Sequence, residues 1–145
     1  MPQVSSENTP HVDARLRECY TQGMDKDLHL KLTVRLYTDD NERFFGPGIA
    51  TLLVRVREHH SLRAAAASMG MAYSKAWRII RTAEHVFGFP LLSSTIGGVN
   101  GGGAVLTPQA DQILDAYESY CAELNTYGAA LFDRKFAFFK DLEQS

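Results

Sequence analysis

Apolar and polar positions alternate from residue 28 onward. Leu28, Leu30, Leu32, Val34 and Leu36 are apolar, with His29, Lys31, Thr33, Arg35 and Tyr37 between them. A period of two predicts a half-buried strand. Thr38-Asp39-Asp40-Asn41 is a turn cluster, after which residues 42–45 return as a short second strand. Beyond Gly46 the period changes. Pro47 suits a first helical position because its missing N–H would have no partner there. Ile49, Leu52, Leu53 and Val56 then recur at helical spacing, while Arg55, Arg57 and Glu58 fall on the other side.

The next two elements belong together. Ser61 is a good N-cap for a helix over residues 62–69, and its four alanines, Ala64 to Ala67, let a second helix cross closely. Gly70 supplies the left-handed position that ends it. A third helix is predicted from about residue 72 to 87, with Tyr73, Ala76, Ile80 and Ala83 inward and Ile79 and Val86 beside them. Ser74, Lys75, Arg78, Arg81 and His85 fall on its outer side. Gly88 and Pro90 stop it. A short helix, a glycine turn and a longer helix with outward cations form a helix-turn-helix, a unit that fits the DNA major groove.

Residues 91–106 are apolar, then glycine-rich, then apolar again, which predicts two short strands joined by a loop, a wing. Thr107-Pro108 caps a long final helix. Its stripe, Ile113, Leu114, Tyr117, Cys121, Leu124, Tyr127 and Leu131, is longer than one small domain ordinarily buries, so a second copy of the chain is expected on it. Phe132, Phe136, Phe138 and Phe139 make an aromatic tail that suits a core cap or an interface equally. The polar start has only the mark of a short helix over residues 13–20, where Leu16 and Tyr20 share a face. The chain therefore divides into a polar extension (1–27), a winged helix-turn-helix (28–106) and a long helix with its tail (107–145). The fold class is mostly α with small β.

The net charge of −2 hides an uneven distribution. Residues 43–109 hold seven Lys/Arg against two Asp/Glu, residues 1–42 hold five against eight, and residues 110–145 hold three against seven. The basic excess coincides with the helix-turn-helix, where screening makes local charge matter more than the total. Lys75, Arg78 and Arg81 have the chemistry to reach phosphates or guanine edges, Ser74 a base or a phosphate, and Arg63 a phosphate beside the preceding helix. Ser94, Thr95, Asn100, Gly101, Gly102 and Gly103 place hydroxyls, an amide and free backbone N–H groups along the wing. The acidic ends should weaken non-specific DNA binding.

Other chemistries find little support. The glycine loop lacks the Lys-Ser/Thr of a phosphate-binding P-loop and leads to a strand rather than a helix. His59-His60 point about 100° apart on a helix and have no Cys or carboxylate cluster beside them. No Ser/His/Asp or Cys/His set is present, so neither an enzyme nor a metal or cofactor is expected. Cys19 and Cys121 read as reduced thiols. No apolar run long enough to span a bilayer and no signal-peptide core occur, so a cytoplasmic protein is expected. Trp77 reads as a packing residue. A winged-helix module that binds protein and has lost DNA binding is the rival to a regulator, favoured by the acidic ends as the central basic segment favours DNA.

Three stretches, Leu28-His-Leu-Lys-Leu, Met71-Ala-Tyr-Ser-Lys-Ala-Trp77 and the glycine-rich residues 97–107, carry a resemblance to a known family. Over about residues 28–142 the chain resembles the N-terminal DNA-binding domain of the ModE molybdate-responsive regulators, related to LysR-type winged helices. The resemblance implies a homodimer that binds double-stranded DNA at a palindromic operator. By position it gives Ser74, Lys75 and Arg78 the groove contacts and Gly101, Gly102 and Gly103 the wing. It also implies dimerisation through the long terminal helix together with the first helix, which places Leu52, Ile113, Leu114, Tyr117, Cys121, Leu124 and Leu131 at the interface. Two departures matter. The order Ser74-Lys75 reverses the family's Lys-Ser, which turns the cation by one residue. The family's C-terminal oxyanion-binding modules are absent from these 145 residues, so no molybdate site is expected in this chain.

Overall fold

The computed structural model describes residues 28–95 and 103–143. The short helix expected over 13–20 and the wing residues Asn100, Gly101 and Gly102 lie outside the described residues. In chain order the elements are β1 (Leu36–Tyr37), β2 (Arg43–Phe45), α1 (Pro47–His59), α2 (Leu62–Ser68), α3 (Tyr73–Phe87), β3 (Leu92–Thr95), β4 (Gly103–Leu106), α4 (Pro108–Lys135) and α5 (Phe139–Glu143). β1 pairs antiparallel with β2, and β3 with β4 in the register Leu92 to Leu106 through Thr95 to Gly103. A helix-turn-helix followed by a two-stranded hairpin is a winged helix.

One core holds these elements together. Leu52, Leu53 and Val56 of α1, Ala65 and Ala66 of α2, Ala76, Ile80 and Ala83 of α3, Leu91, and Ala110 and Leu114 of α4 are all closed to solvent. Ala65 and Ala66 of α2 share this core with Ala76 and Ala83 of α3, and their small volume suits the close crossing that the sequence implies. Phe45 completes the cluster at one end, its ring edge-on to Phe87 (5.9 Å) and Tyr117 (5.1 Å).

Local signals set the helix ends. The Ser61 hydroxyl accepts from Ala64 N–H (3.1 Å), and the Ala66 carbonyl accepts from both Met69 and Met71 N–H around Gly70, whose φ is 63°. A Cβ on Gly70 would meet nothing, so its conformation, not space, demands glycine there. Thr107 ties three pieces together. Its hydroxyl accepts from Ala110 N–H (3.2 Å) and donates to the Pro90 carbonyl (2.8 Å), while its own N–H bonds to Leu91 O (3.0 Å). That one side chain caps α4 and closes the base of the wing.

The strand expected from residue 28 is shorter than its alternation suggests: only Leu36 and Tyr37 pair. Alternation orients side chains, but a ladder needs a partner backbone. After β2 the returning chain turns at Gly46-Pro47 into α1, so among the described residues no strand stands beside 28–35. These residues lie instead along α4. The Tyr117 hydroxyl donates to Val34 O (2.7 Å), and a Cβ on Gly128 would press into Leu30 and Leu32.

A candidate nucleic-acid interface

α3 presents a buried face, an exposed face and two flanks. Ala76, Ile80 and Ala83 are buried, and Ser74, Lys75, Arg78 and His85 are exposed on the opposite side. Of the flanks between these faces, one is turned to α2 and the wing, the other to β2 and the start of α1. Ser74, Lys75 and Arg78 stand clear of any ion pair among the described residues. Their donors are therefore available to an incoming acceptor.

The wing flank is built from stacked rings and guanidinium groups. Tyr73, Trp77 and Arg81 follow at i, i+4 and i+8, one line along the helix. The Arg63 guanidinium lies 4.3 Å from the Tyr73 ring centre and that of Arg81 lies 4.5 Å from Trp77. Tyr73 and Trp77 meet edge-on at 6.3 Å, and Trp77 Nε1–H donates to the Tyr73 hydroxyl. Cation–π stacking uses the face of a guanidinium and leaves its N–H edge open. Arg63, expected to reach a phosphate, is thus held in place without losing its donors, while Arg81 keeps all but the Nη1 donor that it turns to Glu84. Trp77 is a packing residue as expected, and it also seats Arg81.

Glu84 has a role that the sequence reading missed. It is a single acid on a basic helix, which was the available signal. Its carboxylate accepts from Leu91 N–H (2.8 Å) through Oε2 and faces Arg81 Nη1 (3.4 Å) through Oε1. The same side chain therefore joins α3 to the start of the wing and orients a cation between them. Arg63, Tyr73, Trp77 and Arg81 line one wall of a cleft of ≈ 1010 Å³, and Ser94, Thr95 and Gly103 of the wing line the other.

Gly103 has a packing role that its composition did not reveal. A Cβ there would collide with the Thr95 hydroxyl and come within 2.9 Å of His60 O. Ala104 N–H bonds to that same carbonyl (2.9 Å), and His60 adopts φ 56° to present it. The wing is thereby hinged on the turn between α1 and α2. Asn100, Gly101 and Gly102 fall outside the described residues.

The residues assigned to a dimer interface divide into two groups. Leu52 and Leu114 are fully enclosed in the chain's own core, which takes them off any surface that a second copy reaches. Apolar periodicity marks them as inward without showing that α1 and α4 bury them in one core. Tyr117 is also occupied within the chain, by Phe45 and Val34 O. Burial first, then the neighbouring Cys121 thiol, push its phenol up to about 12. Ile113 packs half-buried against the core. Cys121 and Leu124 are half-buried farther along, and Leu131 is exposed, beside exposed Tyr120 and Tyr127. The start of α4 is pinned to α1 by Arg57, whose Nη2 reaches Asp111 (2.8 Å) and Asp115 (3.5 Å).

Among the described residues, no cluster of metal-ligating side chains occurs, and no helix is long and apolar enough to cross a membrane.

Comparison with known proteins agrees with this geometry. Residues 50–111 match the bacterial regulatory helix-turn-helix protein, lysR family. The chain is 35% identical over 66 residues to the molybdenum-pterin-binding protein MopB of Rhodobacter capsulatus, covering 46% of this chain and 24% of that protein. It is 30% identical over 93 residues to the transcriptional regulator ModE of Haemophilus influenzae, covering 64% of this chain and 35% of the relative. It is 34% identical over 85 residues to the molybdenum transport protein ModE of Herbaspirillum seropedicae, covering 59% and 28%. The chain thus spans about a quarter to a third of the length of these relatives. Residues 50–111 thus resemble the helix-turn-helix of the bacterial lysR regulatory proteins, in a sequence that is ModE-like.

Proposed function

We propose that the chain is a DNA-binding transcriptional regulator that binds a palindromic operator as a homodimer. The observation that carries this reading is the exposed Ser74, Lys75 and Arg78 row on a helix whose opposite face is locked into the core. A helix of that width enters a major groove, where Lys75 and Arg78 have the donors for guanine O6 and N7. Arg63, Arg81, Ser94 and Thr95 then meet the backbone on the wing side, positioning the helix rather than reading sequence. No enzymatic role is assigned.

The length of α4 supports the dimer. Its 28 residues extend for about 42 Å, and only Ala110 and Leu114 are buried. Tyr120, Leu124, Tyr127 and Leu131 form a later stripe at spacings of three and four, with Tyr127 75% exposed and Leu131 46%. A second copy packed on that stripe relates two α3 helices by a two-fold axis, the symmetry of a palindrome.

Selection from a random duplex pool over several rounds tests the reading. A palindromic consensus is expected, with affinity that falls steeply as salt rises. No enrichment, with only weak salt-sensitive binding, would favour the protein-interaction module instead.

A further inference from the structure

We propose that the β1–β2 hairpin and the first turn of α1 form a second clamp for the DNA backbone, on the flank of α3 opposite the wing. The clamp rests on α3 being a groove-reading helix. A helix in a major groove about 12 Å wide has a sugar–phosphate strand on each side of it. The wing cleft answers one strand. The other flank holds a separate cleft of ≈ 510 Å³, lined by Arg35 and Arg43 from the hairpin region and by Lys75 and Arg78 from α3.

Its charge is one-sided. All four cations are exposed, no acid lines the cleft, and none of the four has an ion-pair partner among the described residues. Arg57 shows the contrast: where a cation serves the fold, two aspartates accompany it. Four like charges around one cleft repel each other, and an anion between them removes that cost. The first turn of α1 adds to the same field, because its N-cap is Gly46 and it carries no acid. Arg35 lies beside that turn, with its Cγ 3.3 Å from where a Cβ on Gly46 would stand. The ligand chemistry is a phosphate oxyanion, and the placement of two clefts on opposite flanks of one helix assigns it to the phosphodiester backbone.

The test uses the whole chain and a mixed-sequence duplex about three helical turns long, since backbone contacts do not need an operator. Affinity is followed against salt for the wild type, Arg35→Ala/Arg43→Ala and Gly48→Asp. The double variant is expected to bind about ten-fold more weakly near 0.15 M salt, with a salt slope smaller by about 0.9 for each phosphate that is no longer neutralised. Gly48 has open space around its Cβ position, so Gly48→Asp should hold or raise the melting temperature while weakening DNA binding. Opposite signs for stability and affinity are not what a packing role produces. Unchanged slopes in both variants, with the wild type binding tightly, would overturn the clamp and leave the groove reading standing. A wild type without salt-dependent duplex binding would overturn both. Inorganic phosphate at fixed ionic strength separates the remaining source. If it raises the melting temperature of the wild type but not of the double variant, and DNA slopes are unchanged, the cleft takes a free anion and the backbone assignment fails.

Discussion

α3 and α4 are both amphipathic helices of one small domain, yet the core treats them differently. α3 has 15 residues, and its buried stripe runs from Ala76 to Ala83 beneath a polar outer face. α4 has 28 residues, and its fully buried positions end at Leu114, with Tyr117 the last ring packed on the core. A core of this size supports only a few turns of any helix laid on it. A helix that ends within that reach becomes a rigid platform for its outer face. A helix that continues past it carries apolar side chains into solvent and needs another surface. The same periodicity thus means support in one place and an unmet demand in another.

The largest effect expected from breaking this contrast is in α3. Ile80→Ala removes a fully enclosed side chain and should destabilise the fold by about 2–5 kcal/mol, read by denaturant unfolding. Leu131→Ala on α4, measured at low protein concentration, should stay within about 0.5 kcal/mol. Comparable losses at the two positions would remove the distinction.

The outer face of α3 comes next. Lys75→Ala with Arg78→Ala should weaken binding to the best selected duplex by about 1–3 kcal/mol for each base that these side chains read, with the melting temperature unchanged. Equal affinity of variant and wild type would sink the assignment of the recognition helix.

The far half of α4 gives the third effect. Tyr127→Glu with Leu131→Glu should shift the chain toward monomer in sedimentation while leaving unfolding of the dilute protein unaltered. A dimer that survives both changes must use another face.

Gly103→Ala should cost about 1–3 kcal/mol, because overpacking forces the wing away from His60 O. Full stability there would mean that β4 shifts freely.

The smallest effect is one of pH. Tyr117 is pushed up to about 12 from an ordinary 10.0, so the folded chain keeps a proton that the unfolded chain releases. Its contribution is fully present below about pH 10 and is lost as pH rises toward 12. Thermal melts across that window should fall less steeply for Tyr117→Phe than for the wild type, and parallel curves would argue against the shift.

Much of this fold is legible from short-range signals. The caps at Ser61 and Thr107 and the left-handed turns at Gly70 and Gly88 each act within four residues, and each stands where the sequence implies it. Long-range partnership is not legible. A stripe shows that Leu52 and Leu114 face inward but not which surface they face, so residues of one chain's core resemble a dimer seam. The alternation over residues 28–35 assigns faces without revealing that α4 stands where a strand was expected. At the candidate site the outward Ser74, Lys75 and Arg78 follow from helical spacing alone. The Tyr73, Trp77 and Arg81 line has the same spacing and is readable, but Arg63 joins it across a turn. Glu84 and Gly103 act through the backbone of other elements, which a sequence does not display.

Atomic substitution in the DNA tests the groove-reading role of α3 most directly. Replacing purines one at a time by 7-deazapurines in the selected duplex removes only the N7 acceptor on the major-groove edge. A few positions in each half-site should then lose affinity for the wild type, and Lys75→Ala/Arg78→Ala should no longer feel those same substitutions. Wild-type affinity indifferent to every N7 would show that α3 does not lie in the major groove.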